Sequence, residues 1–261
     1  MTVQRLQDTT VVRPLPRPDA TRTMLCLGFC GGGTGPFRPW LDVLGEDTEL
    51  ALLCYPGREG RFAEDFAPDW DALAEDATDA VALAMAEAPD RAFQLFGHSM
   101  GGWMAFDVAV RLAERGAPLP EGLIVSACNA PDRGVTERDR FPRIEDTEGR
   151  LLEWMRTTGL LPAHAADDPD LREMAVELMR ADITVRDSYR PRPGVTTTVP
   201  VHLLHGEDDE VIEPSVAEEW ARCATGGLTV TALPGTHFYT RTVWAELPRH
   251  FGTGTDEEEH A

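Results

Sequence analysis

A serine lies between two glycines in the segment GHSMG at residues 97–101, which has the pattern G-x-S-x-G. A predicted strand, Arg91–Phe96, precedes this segment, and apolar residues at helical intervals follow it. A sharp turn from a strand to a helix would hold Ser99 in strained backbone geometry, and the flanking glycines leave no Cβ to collide with neighbouring strands. The spacing therefore predicts that Ser99 is a nucleophile.

A serine hydroxyl is a weak nucleophile and needs an adjacent base. His237 follows the predicted strand Leu228–Leu233, in the loop that precedes the last predicted helix. In the chain order of α/β hydrolases, which is serine, then acid, then histidine, this loop holds the base. We therefore expect His237 to take the proton of Ser99.

The acid that orients the histidine should follow a strand that lies between Ser99 and His237 along the chain. Residues 206–211 read GEDDEV directly after the predicted strand Val199–His205. A carboxylate here would hold the imidazole in one tautomer and stabilise the imidazolium. We assign this role to Asp209, with Asp208 as the alternative.

The oxyanion of an acyl transfer needs two N–H donors that are aimed at it in advance. One should be the backbone N–H of Met100, the residue after the nucleophile, and the other should come from the loop FCGGG at residues 29–33. We assign the second donor to Cys30, with Gly31 as the alternative. The Cys30 thiol is not expected to be a nucleophile, because no second histidine is placed to activate it.

The composition excludes several other kinds of chemistry. The 261 residues include 45 acidic and 24 basic side chains, for a net charge of −21, and every basic residue is an arginine. This charge argues against nucleic acid as a partner, and the absence of lysine excludes Schiff-base and pyridoxal-phosphate chemistry. The five cysteines form no C-x-x-C pair, and the sequence shows no signal peptide and no bilayer-spanning stretch. We expect a cytoplasmic protein without membrane contact, metal or cofactor.

Strands and helices alternate along most of the chain, which predicts an α/β fold with one mostly parallel sheet and helices on both faces. The expected domains are an N-terminal arm over 1–22, a core over 23–128 and 194–251, a helical insertion over 129–193 and an acidic, disordered tail over 252–261. The predicted strands are Met24–Phe29, Glu49–Tyr55, Arg91–Phe96, Gly122–Cys128, Val199–His205 and Leu228–Leu233. The predicted helices are Pro36–Leu44, Trp70–Ala88, Trp103–Arg115, Thr147–Thr158, Pro169–Arg180, Asp182–Tyr189, Pro214–Cys223 and Arg241–Phe251.

Five segments together resemble the stand-alone type II thioesterases that accompany polyketide and nonribosomal peptide synthetases. They are LCLGFCGGGTGPFRPW, LLCYPGREGRF, FGHSMGGWMAFDVAVRL, LMRADI and LPGTHFY, and the resemblance covers roughly residues 23–250. It implies an α/β-hydrolase fold with a lid, no cofactor, and hydrolysis of acyl thioesters from the phosphopantetheine arm of acyl or peptidyl carrier proteins. By position, Ser99, His237 and Asp209 take the catalytic roles. The oxyanion loop departs from the family pattern at residues 28–30, where this chain has Gly, Phe and Cys.

The resemblance also implies that the insertion over 129–193 is the lid, whose apolar side chains either line an acyl channel or pack the lid on the core. The candidates are Trp154, Met155, Leu160, Leu161, Met174 and Met179. Arg58 and Arg61 follow the second predicted strand, where they could meet a phosphate or hold a loop. We expect a monomer. The alternative functions are an esterase or acyltransferase with the same triad, and a non-catalytic protein that binds acyl carriers.

Overall fold

The computed structural model describes residues 9–161 and 163–251, without the side chains of residues 163 and 164, and its centre is a seven-stranded sheet. The strand order is β1-β3-β2-β4-β5-β6-β7. β1 pairs with β3 in the antiparallel sense, and every other pairing is parallel. The strands are β1 (Val11–Val12), β2 (Arg22–Leu27), β3 (Thr48–Leu53), β4 (Ala92–His98), β5 (Gly122–Ser126), β6 (Val201–Gly206) and β7 (Leu228–Leu233).

The parallel pairing of β4 to β7 determines where the loops that follow these strands meet. The carboxyl ends of parallel strands lie at one edge of the sheet, which is where α/β proteins bind their ligands. Ser99 follows β4, Asp209 follows β6 and His237 follows β7, so all three lie at this edge. The predicted fold class and the six predicted strands are confirmed, with strand ends that differ by at most two residues.

Apolar side chains cover the sheet on both faces because successive residues of a strand point to opposite sides. Along β2, Leu25 and Leu27 belong to one buried cluster, and Met24 and Cys26 belong to another. The described residues contain seven α-helices: α1 (Trp70–Ala86), α2 (Met100–Glu114), α3 (Glu148–Thr157), α4 (Ala163–Ala166), α5 (Pro169–Ser188), α6 (Val216–Cys223) and α7 (Arg241–Glu246). No helix in this part of the chain is long and apolar enough to cross a membrane.

Several helices differ from the sequence prediction: α2 begins at Met100 rather than at Trp103, and the short helix α4 was not predicted. The two helices predicted over 169–180 and 182–189 form the single helix α5, which begins with Asp168 as its N-cap and Pro169 in its first turn. The predicted helix over 36–44 is a 3₁₀ helix, Gly35–Asp42, and Pro39 lies inside it. The last helix changes from α7 to a 3₁₀ turn, Leu247–His250, where Pro248 lacks the N–H that a continuing α-helix would use.

Residues 9–22, expected to be part of an arm, instead belong to the fold, so this prediction is wrong. β1 adds to the edge of the sheet beside β3. The buried carboxylate of Glu49 accepts hydrogen bonds from Arg13 Nε at 3.2 Å, from the backbone N–H of Arg17 at 2.8 Å and from Arg91 Nη1 at 2.7 Å. These bonds fasten the segment to the sheet. Residues 1–8 and the tail predicted over 252–261 lie outside the described residues.

A buried ion pair connects α5 to the loops that follow β2 and β3. Asp182 Oδ1 lies 2.6 Å from Arg58 Nη2, and Asp182 Oδ2 accepts from Arg58 Nη1 at 3.0 Å and from the Gly31 N–H at 2.8 Å. Arg58 Nη1 also donates to the Gly32 carbonyl at 2.8 Å. The two charged side chains are only 6% and 2% exposed. Each charge is therefore compensated by its partner inside the protein.

We expect Asp182→Ala to lower the free energy of unfolding by about 3–5 kcal/mol, because it leaves the Arg58 guanidinium buried without a counter-ion. Urea unfolding followed by circular dichroism measures this change. Glu153→Ala is the matched control, because it breaks an exposed pair with Arg156, and its urea midpoint should not move. Equal midpoints for the two variants would contradict the importance of the buried pair.

Candidate active site

Ser99 lies on the turn from β4 to α2 with a backbone φ of 52° and ψ of −125°. This positive φ is unfavourable for a residue with a side chain and is tolerated only where the surroundings enforce it. A Cβ at Gly97 would lie 1.9 Å from the carbonyl oxygen of Gly101, and a Cβ at Gly101 would lie 2.6 Å from that of Leu27. The two glycines of the motif are therefore required by close backbone approach on either side of the serine.

The structure brings Ser99, His237 and Asp209 together in one chain of hydrogen bonds. His237 Nε2 lies 3.0 Å from Ser99 Oγ, and His237 Nδ1 lies 3.0 Å from Asp209 Oδ2. A carboxylate only accepts hydrogen bonds, so Nδ1 carries the proton and donates to Asp209. Nε2 is then left as the acceptor for the Ser99 hydroxyl. This is the arrangement that a general base requires.

The loop after β6 places Asp209, rather than Asp208, against the histidine. The Asp209 carboxylate is fully buried, and its other oxygen, Oδ1, accepts from the Val211 N–H at 2.9 Å. Asp208 is exposed, and its backbone N–H donates to the Gly235 carbonyl at 2.9 Å. The geometry therefore selects Asp209 as the partner of His237.

Cys30 and Met100, the residues of the two predicted oxyanion donors, line the same cavity as Ser99. Among the described residues, neither the Cys30 N–H nor the Met100 N–H has a hydrogen-bond acceptor. The Gly31 N–H, which was the alternative, donates to Asp182 and is not available to a substrate. Burial raises the pKa of the Cys30 thiol to about 12, so this thiol stays protonated and is a poor nucleophile.

A second histidine, His98, packs directly behind His237 and carries no charge. It is fully buried, its Nδ1 lies 3.1 Å from Ser126 Oγ, and that oxygen lies 3.1 Å from the Tyr239 hydroxyl. Its ring centroid is 5.3 Å from that of His237 and 5.4 Å from that of Phe29. Burial holds the pKa of His98 well below its usual value, so the imidazole next to His237 is neutral.

The cavity in front of Ser99 is narrow, with a volume of about 30 Å³. Trp154 of the predicted lid lines it, and its ring contacts those of Phe141 and Phe238 at centroid distances of 5.6 and 5.7 Å. Its lining residues are Cys30, Ser99, Met100, Trp103, Ala127, Cys128, Asn129, Asp139, Phe141, Trp154, Arg186, Val211, His237 and Phe238.

The other apolar side chains proposed for an acyl channel pack elsewhere. Met155, Leu161 and Met179 are buried in the cluster beneath the lid, and Leu160 packs against it. Met174 points outward and is 42% exposed. The buried side chains therefore pack residues 129–193 on the core, which was one of the two alternatives, whereas Trp154 lines the cavity.

Arg58 and Arg61 hold loops inside the protein. The alternative prediction, that they contact a phosphate, is wrong. Both Nη atoms of Arg58 donate hydrogen bonds to the Asp182 carboxylate. Arg61 pairs with Glu64 at 2.6 Å and with Asp76 at 2.7 Å, and it donates to the Cys54 carbonyl at 3.1 Å. Both guanidinium groups are buried and already compensated by carboxylates, so neither is available to an anion from outside.

Sequence reasoning missed several residues that support this site. Asp182 lies in the segment LMRADI, which contributed to the family resemblance, but nothing local indicated that it would bind Arg58 and the Gly31 N–H. Tyr239 and Arg186 were also missed, because their neighbours at the site come from distant parts of the chain. Within residues 9–161 and 163–251, no group of three or more His, Cys, Asp or Glu side chains is arranged to hold a metal ion.

The mostly parallel sheet, together with a serine on the sharp turn after β4, defines the chain as an α/β hydrolase. The sequence profile of the thioesterase domain matches residues 22–252. The thioesterase PikA5 of Streptomyces venezuelae is 31% identical over 232 residues, which are 89% of this chain and 80% of PikA5. BorB, a type II thioesterase from the borrelidin biosynthetic cluster, has a structure that matches with a TM-score of 0.71 at 26% identity, covering 94% of this chain and 92% of BorB.

The chain therefore belongs to the thioesterase family, as the resemblance predicted, and it is a hydrolase of acyl thioesters. A further relative is the AMB antimetabolite synthetase AmbE of Pseudomonas aeruginosa, which is 34% identical over 202 residues. The matched stretch is 77% of this chain but spans only 9% of that synthetase. The same kind of domain thus occurs within a much longer protein.

We expect Asp209→Asn to lower kcat by about 10³–10⁴-fold, because an amide no longer holds the His237 tautomer that accepts from serine. Asp208→Asn is the matched control, since it removes an adjacent exposed carboxylate that has no contact with His237, and its kcat should be close to that of the wild type. Steady-state hydrolysis of one acyl thioester by the two variants makes the comparison. A larger loss at Asp208 would reverse the assignment.

Proposed function

We propose that the chain is an editing type II thioesterase that removes acyl groups from the phosphopantetheine arm of carrier proteins in polyketide or nonribosomal peptide biosynthesis. The observation that carries this proposal is the hydrogen-bonded chain of Ser99, His237 and Asp209 at the carboxyl edge of the sheet. BorB is a type II thioesterase from a biosynthetic cluster, and the similarity of this chain to BorB supports a role in such a biosynthesis.

The first half of the reaction transfers the acyl group to the enzyme. Ser99 Oγ attacks the thioester carbonyl while its proton passes to His237 Nε2, and Asp209 stabilises the imidazolium that results. The backbone N–H groups of Cys30 and Met100 stabilise the oxyanion of the tetrahedral intermediate. The tetrahedral intermediate then collapses, the C–S bond breaks, and the departing sulfur takes the proton from His237 Nε2, so that the phosphopantetheine arm leaves as a thiol and the histidine is neutral again. Because a thiol has a pKa of roughly 8.5, it needs less help from a proton donor than an amine would.

The second half of the reaction releases the acid and restores the serine. A water molecule gives its proton to His237 Nε2 and attacks the acyl carbon, and the same two N–H groups stabilise the second oxyanion. The intermediate collapses, the bond between the acyl carbon and Ser99 Oγ breaks, and the serine oxygen recovers its proton from His237. All of these steps use groups of this chain and one water molecule.

Residues 129–193 form a lid over this site in the proposed function. The support is that α3 and α5 both belong to this segment, and that Phe141, Trp154 and Arg186 from it line the cavity next to Ser99. Phe141 is also 58% exposed, so it lies where the cavity opens to solvent. The acyl chain enters between the lid and the core.

Ser99→Ala should reduce hydrolysis of an acyl-carrier thioester by about 10³-fold or more, because the nucleophile is lost while binding and the oxyanion donors remain. Release of free carrier thiol, followed with a thiol reagent, measures the rate. A fluorophosphonate probe should label the wild type and fail to label this variant. Full activity of Ser99→Ala would exclude the mechanism, and faster cleavage of the matched oxygen ester would favour an esterase.

Salt should not weaken turnover of the carrier-bound substrate, because the enzyme has a net charge of −21 and carrier proteins are also acidic. Raising NaCl to about 0.2 M shortens the Debye length to below about 10 Å, which screens the repulsion between the two proteins. We expect kcat/KM to stay level or to rise. An uncharged N-acetylcysteamine thioester is the control, and a steep loss with the carrier alone would contradict the prediction.

A further inference from the structure

The cavity at Ser99 contains a cationic side chain that the hydrolysis above does not use. Arg186 lies in the last turn of α5 and is only 4% exposed, yet it lines the cavity together with Cys30 and Trp154. A buried guanidinium is costly unless its N–H groups find acceptors. Each of its three nitrogen atoms therefore needs a hydrogen-bond acceptor.

Two of the three nitrogen atoms of Arg186 have partners in the protein. Its Nε donates to Asp187 Oδ1 at 2.9 Å, and its Nη2 lies 2.9 Å from the same oxygen and donates to the Pro142 carbonyl at 2.9 Å. In the part of the chain that the structure describes, Nη1 has no hydrogen-bond acceptor, and it is not among the fully enclosed nitrogen atoms that lack one. Arg186 thus lines the cavity with one guanidinium nitrogen that no described residue engages.

The charged groups around Arg186 do not engage this nitrogen atom. Asp182 is already bound to Arg58, and Asp187 contacts the Nε and Nη2 atoms of the guanidinium. Asp139, which also lines the cavity, accepts from Asn129 Nδ2 at 2.8 Å through one oxygen and from Thr136 through the other. The positive charge of Arg186 acts on the Cys30 thiol at the reacting end of the cavity, where it lowers the pKa that burial raises.

We propose that Arg186 Nη1 binds an oxygen atom carried by the acyl chain, so that the site prefers acyl groups with a carbonyl or carboxylate oxygen over alkyl groups of the same length. This inference rests on the proposed thioester hydrolysis at Ser99. Arg186 lines the same cavity as Ser99, whose volume is about 30 Å³, so its side chain lies near the path of an acyl group bound there. An alkyl chain would cover the guanidinium and leave its N–H donor without an acceptor, which is the usual basis for rejecting an analogue that lacks the oxygen.

Three N-acetylcysteamine thioesters of similar size test this preference: butyryl, acetoacetyl, which adds a ketone, and malonyl, which ends in a carboxylate. One hydrogen bond to a charged donor is equivalent to about a tenfold to hundredfold change in kcat/KM. For the wild type, we expect at least one oxygenated substrate to exceed butyryl by about tenfold or more. A wild type that hydrolyses butyryl as fast as both others would overturn the inference, and one that hydrolyses none would instead contradict the proposed function.

Arg186→Met keeps an apolar stem and removes the donors, so it should reduce the ratio of oxygenated to butyryl kcat/KM towards one. Arg180→Met is the matched control, because Arg180 lies on the same helix and donates to the Ile144 and Asp146 carbonyls without lining the cavity. This control should leave the ratio unchanged. A loss confined to malonyl would identify the acceptor as a carboxylate, and a loss confined to acetoacetyl would identify it as a ketone.

A loss confined to malonyl and a loss confined to acetoacetyl both support the inference. An equal loss for all three substrates would overturn it, because it would mean that Arg186 only holds the loop at Pro142 in place. If Arg186→Met does not fold, the wild-type ratios still decide the question, and Arg186→Lys keeps a cation whose single ammonium cannot reproduce the planar guanidinium fork. A lysine variant with the ratios of the wild type would show that charge alone is sufficient.

Discussion

The buried carboxylate of Asp182 is the interaction on which the geometry of the site depends. It accepts two hydrogen bonds from Arg58 and one from the Gly31 N–H, and it thereby joins α5 to the loop after β2. Because the Gly31 N–H donates to Asp182, it is not free to bind a substrate, which is why the proposed mechanism uses the preceding Cys30 N–H. The same carboxylate therefore links the position of α5 to that of the loop after β2.

The strained backbone of Ser99 is sustained by the regular structure on both sides of it. The Ser99 N–H donates to the Ser126 carbonyl at 2.7 Å at the end of β5, and α2 begins at the next residue. The serine therefore cannot relax without losing a buried hydrogen bond and displacing the start of a buried helix. Rigid elements of this kind let a loop hold reacting groups in place before the substrate arrives.

The sequence allowed the sheet, Ser99, His237 and Asp209 to be predicted because each is marked by a local pattern, a strand followed at once by a polar loop. The N-terminal strand β1 was missed because two residues are too few to show any alternation of polar and apolar side chains. The pairing of Arg58 with Asp182 could not be predicted from the sequence either, because the two residues lie 124 positions apart along the chain. Local patterns therefore predict which loops lie at the carboxyl edge of the sheet. The contacts between those loops depend on tertiary packing, which a local pattern does not reveal.

The neutral state of His98 has a consequence for the proton transfer at Ser99. Two imidazole rings lie 5.3 Å apart, but burial keeps the inner one from accepting a proton. In the proposed mechanism the Ser99 proton therefore passes to His237 alone, and His98 adds no positive charge next to the base. The aromatic rings around His98 thus exclude a second imidazole from the proton transfer.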